Sequence, residues 1–399
     1  MSTGSPRGRL TVVIGNTPQS RGDLIARLPC PQADLVVLSV SVTKAHSGRY
    51  PVVQRLVNAG DARKPVPASA GAVGDPAIIL RQDLISLRRA NEAVHVVLAL
   101  PEEIDLLPFL LDLWRPRIGA ASLEDHFDAA PVLMCVDPAA FTEEISCTHR
   151  QVQVWGAGSC GEPLTVAEVA ARQVEAADVL VLAHVSPGGE GPDRDAALAL
   201  RRLNARAGMT TLQAIGVGRK AAGHALSRSR QAARARAEWA ERLDPVTAPY
   251  ALSAYPHSDS GFVWRARRPF HPQRLIDALG EAMAGVVRSR GVIWLANRPD
   301  ALLTWRSAGG HLEIVEAGRW LEAPASDAWV SATPQRRTMA CWLWDDYYGE
   351  RRNEITFTGE GMDSSRIASA LDDALLRNEE LALGREGWAR WEDPLLGSR

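Results

Sequence analysis

Five apolar, β-branched runs separated by helix-like stretches constrain this chain more tightly than anything else in it. They are RLTVVIG (9–15), DLVVLSVSV (34–42), AVHVVLAL (93–100), APVLMCVD (130–137) and ADVLVLAHV (177–185). A strand with one wet face alternates apolar and polar positions; these runs stay largely apolar, so both faces must be covered. Helix-like segments lie between them, at about 20–28, at PAIILRQDLISLRRANE (76–92) and at EEIDLLPFLLDLW (102–114). Strands alternating with helices specify an α/β unit on a mostly parallel sheet. HVSPGGEGPDRD (184–195) is a loop by composition.

A second unit is expected, because 399 residues exceed what one hydrophobic core usually serves. After LDPVTAPYALSAYPHSDSG (243–261), rich in turn residues, short strands come close together: FVWRARR, GVIWLAN, LTWRS, HLEIVEAG and ITFTG. Two helices are interposed, at about 271–287 and 363–376. This is an α+β pattern. Nine of the 12 tryptophans follow residue 260, which suits a small domain filling its core with large aromatic anchors.

Charge excludes little but places something. A formal net charge of −2 excludes a globally basic nucleic-acid binder while leaving room for a local basic patch. Such a patch exists at 201–242, with ten Arg or Lys against two Glu, mostly on a helix, LSRSRQAARARAEWAERL. Ala222, Leu226, Ala233, Ala237 and Ala240 form its expected buried stripe. Its arginines, among them Arg228, Arg230 and Arg234, are either a solvated face or a contact surface for an anionic partner. Lys44, Lys64 and Lys220 are the only lysines, so no Gly-Lys pair exists to serve a phosphate loop. Five cysteines, at 30, 135, 147, 160 and 341, have no short pairing and suit a reduced chain. The N-terminus lacks an apolar signal core and no apolar run approaches 18 residues, so a cytoplasmic protein without membrane contact is expected.

Five blocks in the second unit carry a family resemblance: GFVWRARRPFHPQRL (261–275), RSRGVIWLANRPD (288–300), WRSAGGHLEIVEAGRWL (305–321), YGERRNEITFTGEGMD (348–363) and ALDDALLRNEE (370–380). In order and spacing they resemble the C-terminal domain of the CobW family of zinc-related P-loop GTPases. The first unit resembles the family's GTPase domain more loosely. RLTVVIGNTPQSRGDLIARL stands at the strand, phosphate loop and helix; CVDPAAF (135–141), QVEAADVLVLAHV (173–185) and LRRLNARA (200–207) stand at later family landmarks. The resemblance implies a degenerate P-loop GTPase-like domain at 1–245, a linker at 246–260, a CobW-type domain at 261–385 and a tail at 386–399.

The family's chemistry, carried over residue by residue, is mostly missing. A phosphate loop needs glycines, a Lys for the phosphates and a Ser or Thr for Mg²⁺. Here Gly15 survives, Pro18 and Ser20 stand at later glycine positions, Arg21 replaces the Lys, Gly22 offers no hydroxyl and Asp23 brings a negative charge. Ala183-His184-Val185-Ser186 replaces the guanine-reading Asn-Lys-x-Asp. Glu102 or Glu103 could hold a cation, although glutamates at a helix start are common without one. Gly74-Asp75-Pro76-Ala77-Ile78-Ile79, ahead of Arg81-Gln82-Asp83-Leu84, has no sulfur where the family carries its cysteine motif. Cys147, His149 and Cys160 form the one local metal-ligand cluster, with a spacing that matches no common zinc pattern. His184, His257 and His271 are isolated histidines.

These substitutions direct the expectation away from catalysis. GTP with Mg²⁺, and zinc, are implied by the family alone. Arg267, Arg268, His271, Arg274, Arg351 and Arg352 are candidates for partner recognition, or else for ion pairs with Asp277, Glu281 or Glu354. Relatives with similarly altered GTPase motifs are tied to zinc starvation and ribosome hibernation. An adaptor or regulator in zinc homeostasis is therefore expected, with the ribosome or a ribosome-associated factor as partner and no sequence-specific DNA. A divergent GTP-binding zinc metallochaperone is the alternative.

Overall fold

The structure is a computed structural model. It describes residues 7–28, 35–45, 50–59, 62–66, 71–90, 95–117, 121–155, 162–184, 192–216, 228–249, 261–322, 326–359 and 361–397. The chain divides into two compact units, Met1–Ala240 and Glu241–Arg399.

In the first unit the order is β1 (Gly8–Gly15), α1 (Pro18–Arg27), β2 (Leu35–Thr43), β3 (Val52–Ala59), β4 (Ala62–Val66), β5 (Ala72–Val73), α2 (Pro76–Ala90), β6 (His95–Ala99), α3 (Leu106–Leu113), α4 (Leu123–His126), β7 (Phe127–Val136) and α5 (Pro138–Glu144). It continues with β8 (Arg150–Val154), β9 (Glu162–Thr165), α6 (Val166–Ala176), β10 (Val179–Leu182), α7 (Pro192–Leu203), β11 (Gly208–Thr211), α8 (Leu212–Gly216) and α9 (Ala232–Leu243).

Among the described residues the main sheet runs β11-β10-β7-β1-β6-β2-β3-β4, with β5 beside β3. Strands β11 through β2 in that order are parallel, and β3, β4 and β5 add an antiparallel edge. Val13, Val97, Leu133, Cys135 and Val181 lie on one face, packed with Leu24 of α1 and Leu212 and Ile215 of α8. Their alternates Val12, Ile14, Val96, Leu98 and Met134 are also buried, which is why these strands read as unbroken apolar runs.

Helix α9 departs from its expected stripe. Its buried residues are Ala232, Ala235 and Trp239, while Ala233 and Ala237 face out. Trp239 sets the helix rotation, because one indole buries far more apolar area than several alanine methyls. Ala222 and Leu226 lie outside the described residues.

The second unit holds β12 (Gly261–Ala266), α10 (Pro272–Ala282), β13 (Val286–Ile293), β14 (Ala301–Ala308), β15 (His311–Arg319), α11 (Asp327–Ser331), α12 (Pro334–Trp342), β16 (Asn353–Gly359), α13 (Ser364–Asp373), α14 (Asn378–Leu381) and α15 (Gly384–Trp388). Its sheet, β12-β16-β13-β14-β15, is antiparallel throughout. Trp264, Leu275, Ile293, Trp305, Phe357, Ile367 and Leu371 belong to one core cluster. Val292, Trp294 and Leu302, alternating with that set, join Trp320, Leu376 and Trp388 in a second.

Two expected boundaries shift. Val246, expected in a linker, packs into the second cluster, and Trp388 of the expected tail is buried there with Trp391 against it. Arg298 pairs with Asp393 and donates to Gly397 O at 2.9 Å, so the C-terminal stretch is held into the unit. Trp388 is thus a core residue, with Trp391 half-buried against the same cluster. The absence of a strand or long helix at 386–399 made the segment look peripheral.

Gly291 allows the backbone of β16 to approach its antiparallel neighbour β13 closely. A Cβ there would stand 1.9 Å from Glu354 O. Gly291→Ala is expected to destabilise the second unit by about 3 kcal/mol or more. Gly280→Ala, on an open helix position with nothing within 4 Å, is expected to stabilise it by roughly 0.5–1 kcal/mol. Denaturant midpoints of the two variants check both signs.

Candidate functional site

Open α/β sheets bind ligands at the carboxyl ends of their strands, where the strand order reverses. In this sheet that point is the end of β1, flanked by β6 and β7. The residues aligned with the phosphate loop stand there, and their geometry decides what the crevice can hold.

The connection from β1 to α1 is only Asn16 and Thr17, because the helix starts at Pro18, inside the stretch that would have been loop. Pro18 occupies the first helical turn, where a missing N–H costs nothing. Thr17 and Ser20 form a capping box. Ser20 N donates to Thr17 Oγ1 at 3.1 Å and Thr17 N to Ser20 Oγ at 3.4 Å. Arg21 N donates to Thr17 O at 3.2 Å and Asn16 N to Cys135 O at 3.3 Å. The N–H groups of residues 16, 17, 20 and 21, which would otherwise wrap a phosphate, are thus all engaged within the protein. A Cβ on Gly15 would lie 3.0 Å from Arg21 N, Arg21 Cβ and Ser20 Oγ, so the turn is closed on itself.

The side chains are committed as well. Ser20 Oγ lies 3.0 Å from Thr17 O and 3.3 Å from Cys135 O, and Gly22 has no hydroxyl. Arg21 turns its guanidinium to Leu100 O (3.2 Å) at the end of β6 and stands 3.7 Å from Glu102. Asp23 lies 3.5 Å from Nε2 of His184. His184 has φ +49°, among the described residues the one non-glycine backbone in the left-handed region. Strand β10 ends at Leu182, two residues before it.

Carboxylates dominate what surrounds Arg21. Asn16 latches β1 to the start of α5: Asp137 N donates to Asn16 Oδ1 at 2.8 Å, and Asn16 Nδ2 donates to Asp137 O at 3.1 Å and to Glu144 Oε2 at 3.2 Å. Burial pushes the Glu144 carboxyl up to about 7, against the Asn16 hydrogen bond, with Glu102, Asp137 and Glu143 adding to the rise. Burial also raises Glu103, with Glu102 adding to it. A triphosphate would meet repulsion here. Glu102 and Glu103 precede α3, which starts only at Leu106 after its N-cap Asp105, so they are not the helix-start glutamates expected from the sequence.

At the position of the family's cysteine motif, Asp75 caps α2 instead, accepting from Ala77 N at 2.8 Å. The helix begins at Pro76, so Arg81 is well inside it, bonded to Leu113 O at 2.9 Å. Asn204 of LRRLNARA is buried and donates to Val174 O and Ala177 O, both at 2.9 Å, tying α7 to the end of α6. Cys135 is a core thiol pushed up to about 12 by burial. Cys147 Sγ and His149 Nδ1 meet at 3.3 Å, whereas Cys160 and His257 lie outside the described residues. Among the described residues no group of three or more His, Cys, Asp or Glu is placed to hold a metal ion.

The candidate arginines are mostly internal fasteners. Arg230 pairs with Asp178 at 2.6 Å and with Glu238, while Arg234 reaches Glu238 at 3.0 Å and Arg228 is exposed. Arg267 donates to Leu343 O and Arg351 O, and Arg268 to Leu376 O and Asn378 Oδ1. His271 caps α10 and lies against Trp391 in a tilted ring pair, centroids 4.7 Å apart. Arg274 grips Glu380 through two 2.7 Å bonds, holding that carboxyl down at about 2. Arg351 pairs with Asp300 and Glu322, and Arg352 with Glu354. Of the partners expected from sequence, only Glu354 is used by this set. Sequence reasoning missed exposed large apolar side chains on α11, α12 and the turn after them: Val330, Trp342 and Tyr347 are 70%, 78% and 84% exposed.

The family described as cobalamin synthesis protein cobW C-terminal domain matches residues 260–375. Zinc chaperone Rv0106 of Mycobacterium tuberculosis is 33% identical over 327 residues, covering 79% of this chain and 76% of its own. Zinc-regulated GTPase metalloprotein activator 1 of Dictyostelium discoideum is 31% identical over 161 residues, 39% of this chain and 33% of its own. The crystal structure of the Zn(II)-bound YjiA GTPase from E. coli aligns over 93% of this chain and 99% of its own, at 13% identity and a TM-score of 0.36. An α/β unit with a mostly parallel sheet, joined to this C-terminal domain, defines the class; the chain belongs to the CobW family. Among the described residues, no helix is long and apolar enough to cross a membrane.

Glu144 gives a pH test of the latch. Its folded-state value of about 7 lies above the ordinary 4.5, so the folded protein holds a proton that the unfolded chain has released. The stability associated with that proton is complete below about 4.5 and is lost as pH rises to about 7. Glu144→Gln keeps an acceptor for Asn16 and is expected to flatten this fall. Unfolding midpoints of the two proteins from pH 4 to 8 check it.

Proposed function

We propose that this protein acts in zinc homeostasis as a binding partner or adaptor that works without bound nucleotide. The observation that carries the reading is the closed β1–α1 turn. The amides of residues 16, 17, 20 and 21 are spent on Thr17, Ser20 and Cys135, and Arg21 is turned onto Leu100 and Glu102. The zinc context comes from relatives named as a zinc chaperone and as a zinc-regulated GTPase metalloprotein activator. With most candidate arginines holding their own units together, the partner-binding role falls to exposed Arg228 and Arg234 and to the surface of Val330, Trp342 and Tyr347. A ribosome or a ribosome-associated factor is the expected partner, in keeping with the arginine-rich composition.

Calorimetric titration of Mg-GTP and Mg-ATP into about 100 μM protein is expected to give no saturable heat, which would place any Kd well above micromolar. Arg21→Lys with Gly22→Ser is expected to give none either, because the turn lacks the length to wrap a phosphate. Micromolar binding of GTP in preference to ATP would overturn this reading in favour of a divergent GTP-dependent metallochaperone. Co-sedimentation with ribosomes, lost on Trp342→Ala with Tyr347→Ala, tests the partner.

A further inference from the structure

Residues 147–149 carry a thiol and an imidazole that no nucleotide element uses. Cys147 Sγ and His149 Nδ1 are 3.3 Å apart. Two ligands on one tetrahedral zinc ion, at about 2.3 Å for sulfur and about 2.0 Å for nitrogen, lie about 3.5 Å from each other. A shift of a few tenths of an ångström would therefore bring both onto a single ion.

The backbone presents the pair rigidly. Cys147 N donates to Glu144 O at 3.1 Å, closing the end of α5. Cys147 O accepts from Ala167 N at 3.2 Å and His149 O from Val166 N at 3.1 Å, so two N–H groups of the first turn of α6 clamp both residues. Thr165 caps the same helix through Glu168 N at 3.1 Å, and its strand pairs with the one starting at Arg150. Segment 147–149 is thus fixed between two helices and a hairpin. His149 is exposed and Cys147 half-buried, so the pair is reachable from solvent.

We propose that Cys147 and His149 form a two-ligand site for a thiophilic divalent cation, zinc by preference, whose other coordination positions are left to water or to a receiving partner. One thiolate and one imidazole are the donors that select zinc over magnesium or calcium. Two protein ligands leave the ion exchangeable, where a four-ligand structural site would retain it. The site deepens the zinc-homeostasis reading and rests on it for the identity of the cargo. Its position, after α5, is separate from the segment preceding Arg81 where the family carries cysteines.

The test uses the full-length, reduced, metal-free chain titrated with Co²⁺, followed by Zn²⁺ competition. A thiolate-to-cobalt charge-transfer absorption that zinc abolishes is expected. Cys147→Ser should remove it, and His149→Ala should weaken cobalt binding at least about tenfold, in line with the loss of one metal ligand. A chain with Cys30, Cys160 and Cys341 all changed to serine should keep the absorption. Thermal unfolding of each variant separates ligand loss from misfolding. Absorption that survives Cys147→Ser, or that vanishes in the triple-serine chain, overturns the site. If Cys147-dependent cobalt binding is found but growth under zinc limitation is indifferent to loss of the protein, the site stands and the zinc-homeostasis reading fails.

Discussion

The two-residue step from β1 to α1 governs the first unit. Strand β1 is the centre of the sheet, and its end is where a ligand would ordinarily sit. By starting α1 at Pro18 and capping it with Thr17 and Ser20, the chain satisfies the helix N-terminus internally instead of with a phosphate. Arg21, Asn16 and Glu144 then fall into place around the closed turn. Arg21 is drawn to the end of β6, and Asn16 joins β1 to the start of α5. The carboxylates gathered there would repel a triphosphate, and burial and their own crowding hold Glu144 and Glu103 toward their protonated forms.

The second unit is organised by a different economy. Two aromatic clusters use alternate residues of one antiparallel sheet, and arginines fasten the surrounding loops and short helices to it. Arg274 with Glu380, Arg298 with Asp393 and Arg351 with Glu322 each bridge segments far apart in sequence. Arginine suits this work because its planar fork can grip a carboxylate and a carbonyl together. The blocks that identify the family are thus largely the blocks that build the domain, and family likeness there says little about what binds.

Much of the architecture was readable from the chain. The five apolar runs became adjacent parallel strands because continuous burial on two faces leaves a plain mark in sequence. The departures from the phosphate-loop motif were plain at Pro18, Arg21 and Gly22. Closure of the turn was not read, because the helix was expected only from about residue 20, whereas it starts at Pro18 with Thr17 and Ser20 as its capping box. Other features depend on contacts distant in sequence. Nothing near Arg274 names Glu380, and nothing near Asn16 names Glu144. Trp388 and Trp391 looked peripheral for want of a long element around them. The Cys147–His149 contact was visible only as a spacing, because the clamp that holds it comes from the start of α6, some 17 residues on.

The closed turn can be observed directly by amide hydrogen exchange of the peptide covering residues 15–24, measured with and without millimolar Mg-GTP. The expected result is slow exchange at residues 16, 17, 20 and 21 in the free protein, unchanged by nucleotide. Fast exchange in the free protein, slowed when GTP is added, would show that the turn opens to receive a phosphate, and would contradict a nucleotide-independent protein.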